Sequence, residues 1–158
     1  MAQEVFFRKA VPGLGEVQAS VQYDAEAFGV GTCITPWTVA IEAEGRDLGR
    51  IVGFEGEAQH IIAMHGLKPD PQAKRGLEMT VFRVSEALRA NSLDAQVFAA
   101  FERWLLRRGW RGNLLKRLKF TDPQWVIPIR SFWVQQLGFE LVLAEEGKWD
   151  EHVVKRWR

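Results

Sequence analysis

Along the first half of the chain apolar residues tend to alternate with polar ones, the period of two that a half-buried strand needs. Val5 to Ala10 reads as a strand closed by Pro12-Gly13-Leu14-Gly15. Val17, Ala19, Val21 and Tyr23 alternate as a second strand, with a short helix as the other reading of that stretch. Thr38 to Glu44 and Arg50 to Phe54 flank Gly45-Arg46-Asp47-Leu48-Gly49 and predict a hairpin. His60 to Leu67 is a further apolar stretch, and a loop marked by Pro69, Pro71 and Gly76 follows it. Leu77 to Val84, rich in β-branched and aromatic residues, predicts another strand. Then the period changes. Val97, Phe98, Phe101, Trp104 and Leu105 form one stripe of a helix. Ser92 stands where an N-cap belongs, Asp94 in the first turn, Arg107 and Arg108 in the last, and Gly109 at the left-handed stop. Leu114 to Phe120 predicts a strand. Pro128 opens a helix from Ile129 to Leu137 that Gly138 ends. Phe139 to Ala144 and His152 to Trp157, parted by Gly147-Lys148, predict the last two strands. This order describes an α/β (α+β) sheet of mixed direction.

With 158 residues and 47% hydrophobic content, the chain is expected to form one domain over 1–158 without disulfides or metals. Its single cysteine, Cys33, has no internal partner, and no run approaches the roughly 18 apolar residues of a membrane span. The first residues lack the basic and apolar regions of a signal peptide, so a cytoplasmic location is expected. Charge is uneven. Residues 99–130 hold eight Lys and Arg against two Asp and Glu, whereas 1–98 hold nine against thirteen. This basic block (Arg103, Arg107, Arg108, Arg111, Lys116, Arg117, Lys119, Arg130) reads first as solvated cations near a helix end, and second as a surface for an anionic partner such as nucleic acid. Of seven tryptophans, Trp104 belongs to the helix stripe. Trp110, Trp125, Trp133, Trp149 and Trp157 accompany the basic residues, as ordinary core and surface, as stacking platforms or as a subunit interface. The histidines, at 60, 65 and 152, show no metal-ligand spacing, and there is no Ser-His-Asp or P-loop pattern.

Two segments carry a family resemblance. Val84-Ser85-Glu86-Ala87-Leu88-Arg89, then Ala90 to Asp94, then the helix ending Trp104-Leu105-Leu106-Arg107-Arg108-Gly109, resembles the GNAT superfamily of acyl-CoA N-acyltransferases. In that family a central strand ends in valine, and a loop Arg-Gly-x-Gly-x-Gly or Ala opens the main helix. Val84 meets the valine, Arg89 the arginine and Gly109 the glycine that closes the helix. Downstream, Phe132-Trp133-Val134-Gln135-Gln136-Leu137-Gly138-Phe139-Glu140 is similar to the family's aromatic-Tyr-x-x-Leu-Gly-Phe-Glu segment. The resemblance covers Leu77 to Glu140 and implies a mostly antiparallel sheet flanked by helices. The family usually inserts one or two helices between its first two strands, whereas residues 11–36 here are short and partly alternating.

The resemblance also implies chemistry: transfer of an acyl group from acetyl-CoA or another acyl-CoA to an amine on a small molecule or peptide. The backbone of Phe82, Arg83 and Val84 would polarise the thioester carbonyl. Arg89, Ala90, Asn91, Ser92, Leu93 and Asp94 stand at the pyrophosphate loop, where free amides at a helix N-terminus meet the phosphates. The glycine positions carry Ala90, Ser92 and Asp94, and a carboxylate there opposes a phosphate. The family's general-acid tyrosine corresponds to Val134, and an asparagine often found seven residues earlier to Ile127. By analogy with acidic residues on that strand, Glu78 is the candidate base, with His65 as alternative and His60 third. Two readings therefore stand: an N-acyltransferase, or a non-catalytic member whose cleft is closed by side chains such as Trp133 and used for binding or homodimerisation. Nucleic-acid binding through 99–130 ranks below both.

Overall fold

The computed structural model describes residues 1–28, 33–68, 70–118, 122–142 and 151–157. Among them are strands β1 (Ala2–Val11), β2 (Gly15–Tyr23), β3 (Thr35–Ala43), β4 (Arg46–Glu57), β5 (Arg75–Val84), β6 (Gly112–Leu118), β7 (Glu140–Val142) and β8 (Glu151–Trp157). They form one sheet in the order β1-β2-β3-β4-β5-β6-β8-β7. Among the described residues only β5 and β6 pair in parallel; the other neighbours are antiparallel. The helices are α1 (Ala58–Ala63), α2 (Glu86–Ala90), α3 (Leu93–Arg107) and α4 (Val126–Ser131), and α4 runs on into a π-helical turn at Phe132–Gln136. The sheet is the mixed, mostly antiparallel one that the sequence leads one to expect.

The hydrophobic stripe explains the main core. Val97, Phe98, Phe101, Trp104 and Leu105 of α3 are all buried, against Trp37, Leu77, Met79, Leu114 and Val153 of the sheet. Phe6 from β1 meets Phe101 at 5.6 Å and Trp37 stacks on Phe101 at 5.1 Å. The opposite face carries a smaller cluster of Ile61, Leu115 and Val154, covered by α1. Two buried ion pairs brace this frame. Glu55 of β4, with none of its surface exposed, takes Nε of Arg75 at 2.7 Å and the backbone N–H of Phe28 at 2.6 Å. Glu102 of α3 lies 2.9 Å from Lys155 Nζ on β8, and that lysine also donates to the Leu137 carbonyl at 2.7 Å. Burial pushes both carboxyls above their ordinary range, against the hydrogen bonds from Arg75 and Lys155.

Several local expectations are corrected. The hairpin turn is not Gly45–Gly49 but Glu44-Gly45, at φ 50° and 78°, the two left-handed residues of a tight primed turn. β4 consequently begins at Arg46, because Leu48 and Ile51 have the β3 face to bury against. His60 to Leu67 opens as helix α1. The predicted second helix starts three residues earlier, at Val126, with Pro128 inside its first turn, where its missing N–H costs nothing. No helix stands between β2 and β3 among the described residues. Pro69, Lys119, Phe120, Leu143 and Ala144 of the predicted segments, Gly147-Lys148 and Trp149 lie outside the described residues.

Candidate functional site

The site begins with a register change. β5 pairs with β6 from Arg75↔Gly112 to Met79↔Lys116, and both strands then continue without pairing. Against β4, the register passes from Gly53↔Met79 to Val52↔Val81, so Thr80 is one residue too many. A bulge of this kind bends and twists its strand, here away from β6. Gly53 is required: a Cβ at that position would collide with the Glu78 carbonyl oxygen. Lys116 bridges the opening, donating from Nζ to the Thr80 carbonyl at 3.1 Å.

Glu78 lies between Leu77 and Met79, which face α3, so its side chain takes the other face of the sheet, beside Leu115. It is 6% exposed. Its Oε1 accepts from Thr80 Oγ1 at 3.2 Å, and its Oε2 lies 3.4 Å from Nε2 of His65, in the turn after α1. The other nitrogen of that ring, Nδ1, is 3.1 Å from Nε2 of His152 on β8, the two rings meeting edge to face. Carboxylate and imidazoles thus form a line through three elements. The His65 imidazole facing it holds the Glu78 carboxyl below its ordinary range, against the opposing effect of burial. Because His65 turns a different nitrogen to each neighbour, the three groups do not converge on one point, and no metal-holding group occurs among the described residues.

The two predicted bases, Glu78 and His65, are therefore brought together, whereas His60 is exposed on α1. His152 was missed. A lone histidine in a strand carries no spacing signal, and only the antiparallel β6–β8 register sets it near the others.

On the cofactor side the picture differs. Ser92 is not a side-chain cap: it adopts a left-handed conformation (φ 55°, ψ 27°) with no cap hydrogen bond, the path a glycine takes without strain. Ser85 caps instead, its Oγ accepting from Leu88 N at 3.3 Å, and α2 fills the loop. Several amides around the expected phosphate position are engaged internally. Arg89 N donates to Ser85 O, Ser92 N to Arg89 O and Gln96 N to Ser92 O. Ala95 N donates to Asp94 Oδ1 at 2.9 Å, and Asp94 is buried in the first turn of α3. Ala90, Asn91 and Arg89 are exposed, and Leu93 is buried in the core. Residues that present their own carboxylate to the helix N-terminus do not fit a diphosphate.

Among the described residues the edge of β5 toward β6 has no strand partner beyond Met79, which leaves Phe82, Arg83 and Val84 at the parted strands. Arg83 pairs with Asp47 at 2.9 Å and Val84 is buried. Above them Phe82, Phe98, Phe139 and Trp133 pack together, Trp133 lying 5.1 Å from Phe82 and 5.2 Å from Phe139. Val134 sits in the π-helical turn. Tyr23 donates its hydroxyl to Glu4 Oε1 at 2.8 Å, and Glu4 also takes Trp104 Nε1 at 2.7 Å beneath Arg108. The basic block is dispersed: Arg108 stacks on Trp104, Arg130 pairs with Glu151, and Lys116 bridges to Thr80.

Two cavities lie away from the cofactor loop. One of about 370 Å³ is lined by Asp70, Lys74, Arg111, Asn113 and Trp157. Another, about 260 Å³, is lined by apolar Ile62, Leu67, Leu115, Val142 and Val154 and by polar Lys68, Asp70, Asn113 and Arg156. The second adjoins the acid–base line: Leu115 is beside Glu78, Val142 pairs with His152, and Gly66 follows His65.

A mixed sheet in which one parallel pair parts at a bulge, with the main helix packed behind it, is the acyl-CoA N-acyltransferase (GNAT) fold. Solved structures bear this out at the level of the fold. The Drosophila melanogaster polyamine N-acetyltransferase superposes with TM-score 0.55 and 12% identity over 75% of this chain and 74% of its own. An acetyltransferase from Thermus thermophilus matches at TM-score 0.50 and 15% identity over 77% and 64%. A Desulfovibrio desulfuricans protein assigned to the GNAT acetyltransferases matches at TM-score 0.50 and 14% identity over 78% and 68%. This chain thus spans about two thirds of the latter two. No family model and no curated protein matches the sequence. Among the described residues no helix is long and apolar enough to cross a membrane.

Proposed function

We propose that this chain is a binding module of the GNAT fold that works through the α1 face of its sheet and does not take up acyl-CoA through the loop before α3. The observation that carries the reading is Asp94: its carboxylate is buried in the first turn of α3 and accepts an amide that a diphosphate needs. The 260 Å³ cavity beside Glu78 is the proposed binding site. Its mixed apolar and polar lining suits a small ligand with an apolar body and a polar end. Titration calorimetry with acetyl-CoA tests the reading. No heat and no thermal shift at millimolar ligand is the expected result, and saturable binding in the micromolar range overturns it.

One observation favours a second reading, N-acyl transfer to a small-molecule or peptide amine. Glu78 lies where the strands part, ionised at neutral pH and lined up with an imidazole, as a base for an amine is placed. The same titration decides between the two, because this reading requires the donor to bind.

A further inference from the structure

Sheet register orders the lining of the 260 Å³ cavity from an apolar end to a charged one. Along β8, Val142 pairs with His152, Leu115 with Val154, and Asn113 with Arg156. Residues two apart share a face, so Val154 and Arg156 both border the cavity, about 7 Å apart along the strand. At the charged end Asp70 is already occupied. Its Oδ1 accepts from Gln72 N at 3.0 Å, and its Oδ2 accepts from Nδ2 of Asn113, which is buried, at 3.3 Å. Arg156 Nε lies 3.5 Å from the same Oδ2. A cationic ligand seeking Asp70 would have to displace one of these groups. The cations of the lining are less committed. Lys68 is exposed and holds no ion pair among the described residues. Arg156 gives Nη1 to Glu140 at 2.8 Å, a largely exposed residue outside the lining, and its Nη2 donors make no hydrogen bond among the described residues. Two cations therefore line the cavity against a single carboxylate with both oxygens engaged.

We infer that this cavity takes an aliphatic monocarboxylate, its carboxylate held by Lys68 and the open Nη2 of Arg156 and its chain lying over Leu115, Val154 and Val142. The inference rests on the reading of this cavity as the binding site and adds the charge and orientation of the ligand. A carboxylate at this end gains charge-assisted hydrogen bonds that a neutral head group lacks. An ammonium there would face two like charges. The reverse orientation is disfavoured, because it brings the carboxylate toward the row of Leu115, which pairs with Glu78 on β5. No lining residue is aromatic, so nothing in the cavity stacks on a ring, and a flexible aliphatic body suits Leu115, Val142 and Val154.

The test is amide NMR of the full ¹⁵N-labelled chain, titrated at neutral pH with octanoate, 1-octanol and octylammonium, each kept below its aggregation or solubility limit. Octanoate is expected to shift the amides of Leu115, Val142, Val154 and Arg156 saturably. Octanol should bind about tenfold more weakly, for want of the charge-assisted bonds, and octylammonium should not saturate. Lys68→Met alters an exposed side chain and should weaken octanoate about threefold, with a smaller effect on octanol. Arg156→Gln leaves Asp70 without its guanidinium, so octanoate binding should be lost and octylammonium should now bind. If Arg156→Gln does not fold, Lys68→Met carries the charge test. Octanol or octylammonium binding at these amides as tightly as octanoate overturns the anionic class while the cavity remains a binding site. So does an octanoate affinity that Lys68→Met leaves untouched. If none of the three probes shifts these amides, the binding reading of the cavity fails, and this inference with it.

Discussion

Replacing Asp94 by alanine probes the cofactor side most directly. The Asp94 carboxylate accepts from Ala95 N at 2.9 Å, so a phosphate taking that amide would lie about 4 Å from the displaced carboxylate. Two unit charges at that separation repel by about 1 kcal/mol in water and about 4 kcal/mol at a surface-like effective dielectric. Asp94→Ala is therefore expected to tighten acetyl-CoA binding by about 5-fold to nearly a thousandfold, more at low salt than at high. The helix loses a favourable first-turn carboxylate, a cost of about 0.3–1 kcal/mol, so the melting temperature should fall slightly. Ser92→Gly is the companion. It relieves a left-handed serine, worth about 1 kcal/mol of stability, without removing the carboxylate, and should raise the melting temperature while leaving acetyl-CoA affinity low. Calorimetry with acetyl-CoA at two salt concentrations reads both variants. Equal affinities for wild type and Asp94→Ala would show that the carboxylate is not the barrier, and the account of the loop would fail.

Two further outcomes follow from the buried charges. Arg75→Leu leaves the fully buried Glu55 carboxylate with the Phe28 N–H and without its guanidinium, and should cost about 3–5 kcal/mol in urea unfolding at neutral pH. Burial raises the Glu55 carboxyl in the fold, so its contribution is present at low pH and lost as pH rises through the folded value. The deficit of Arg75→Leu should accordingly shrink on acidification; a deficit that grows toward acid contradicts the assignment. Glu78 has the opposite sign. Its carboxyl is lowered in the fold, chiefly by His65, so it contributes stability above the ordinary carboxylate range that is lost as pH falls through the folded value. Glu78→Gln should be less stable than wild type near neutrality and approach it below about pH 4, as read by thermal melts at several pH values.

The period-two segments and the single helical stripe were legible in the sequence because they depend on neighbours a few residues apart. So were Gly109 and Gly138, both left-handed, since an achiral residue at the end of a helix needs little context. Ser92 shows where local reading stops. Serine before a helix is an ordinary cap by propensity, yet Ser85 caps here and Ser92 takes a left-handed turn, because the chain must pass from α2 into α3 with only Asn91 and Ser92 between them. The extra residue at Thr80 leaves no trace in composition, since a bulge is a relation between two strands. By itself the sequence determined the succession of elements, the buried face of α3 and the acidic, glycine-free character of the loop ahead of it. Only the tertiary structure decided that Glu78, His65 and His152 meet, because their contacts span 87 residues of chain and arise from sheet register rather than from any local pattern.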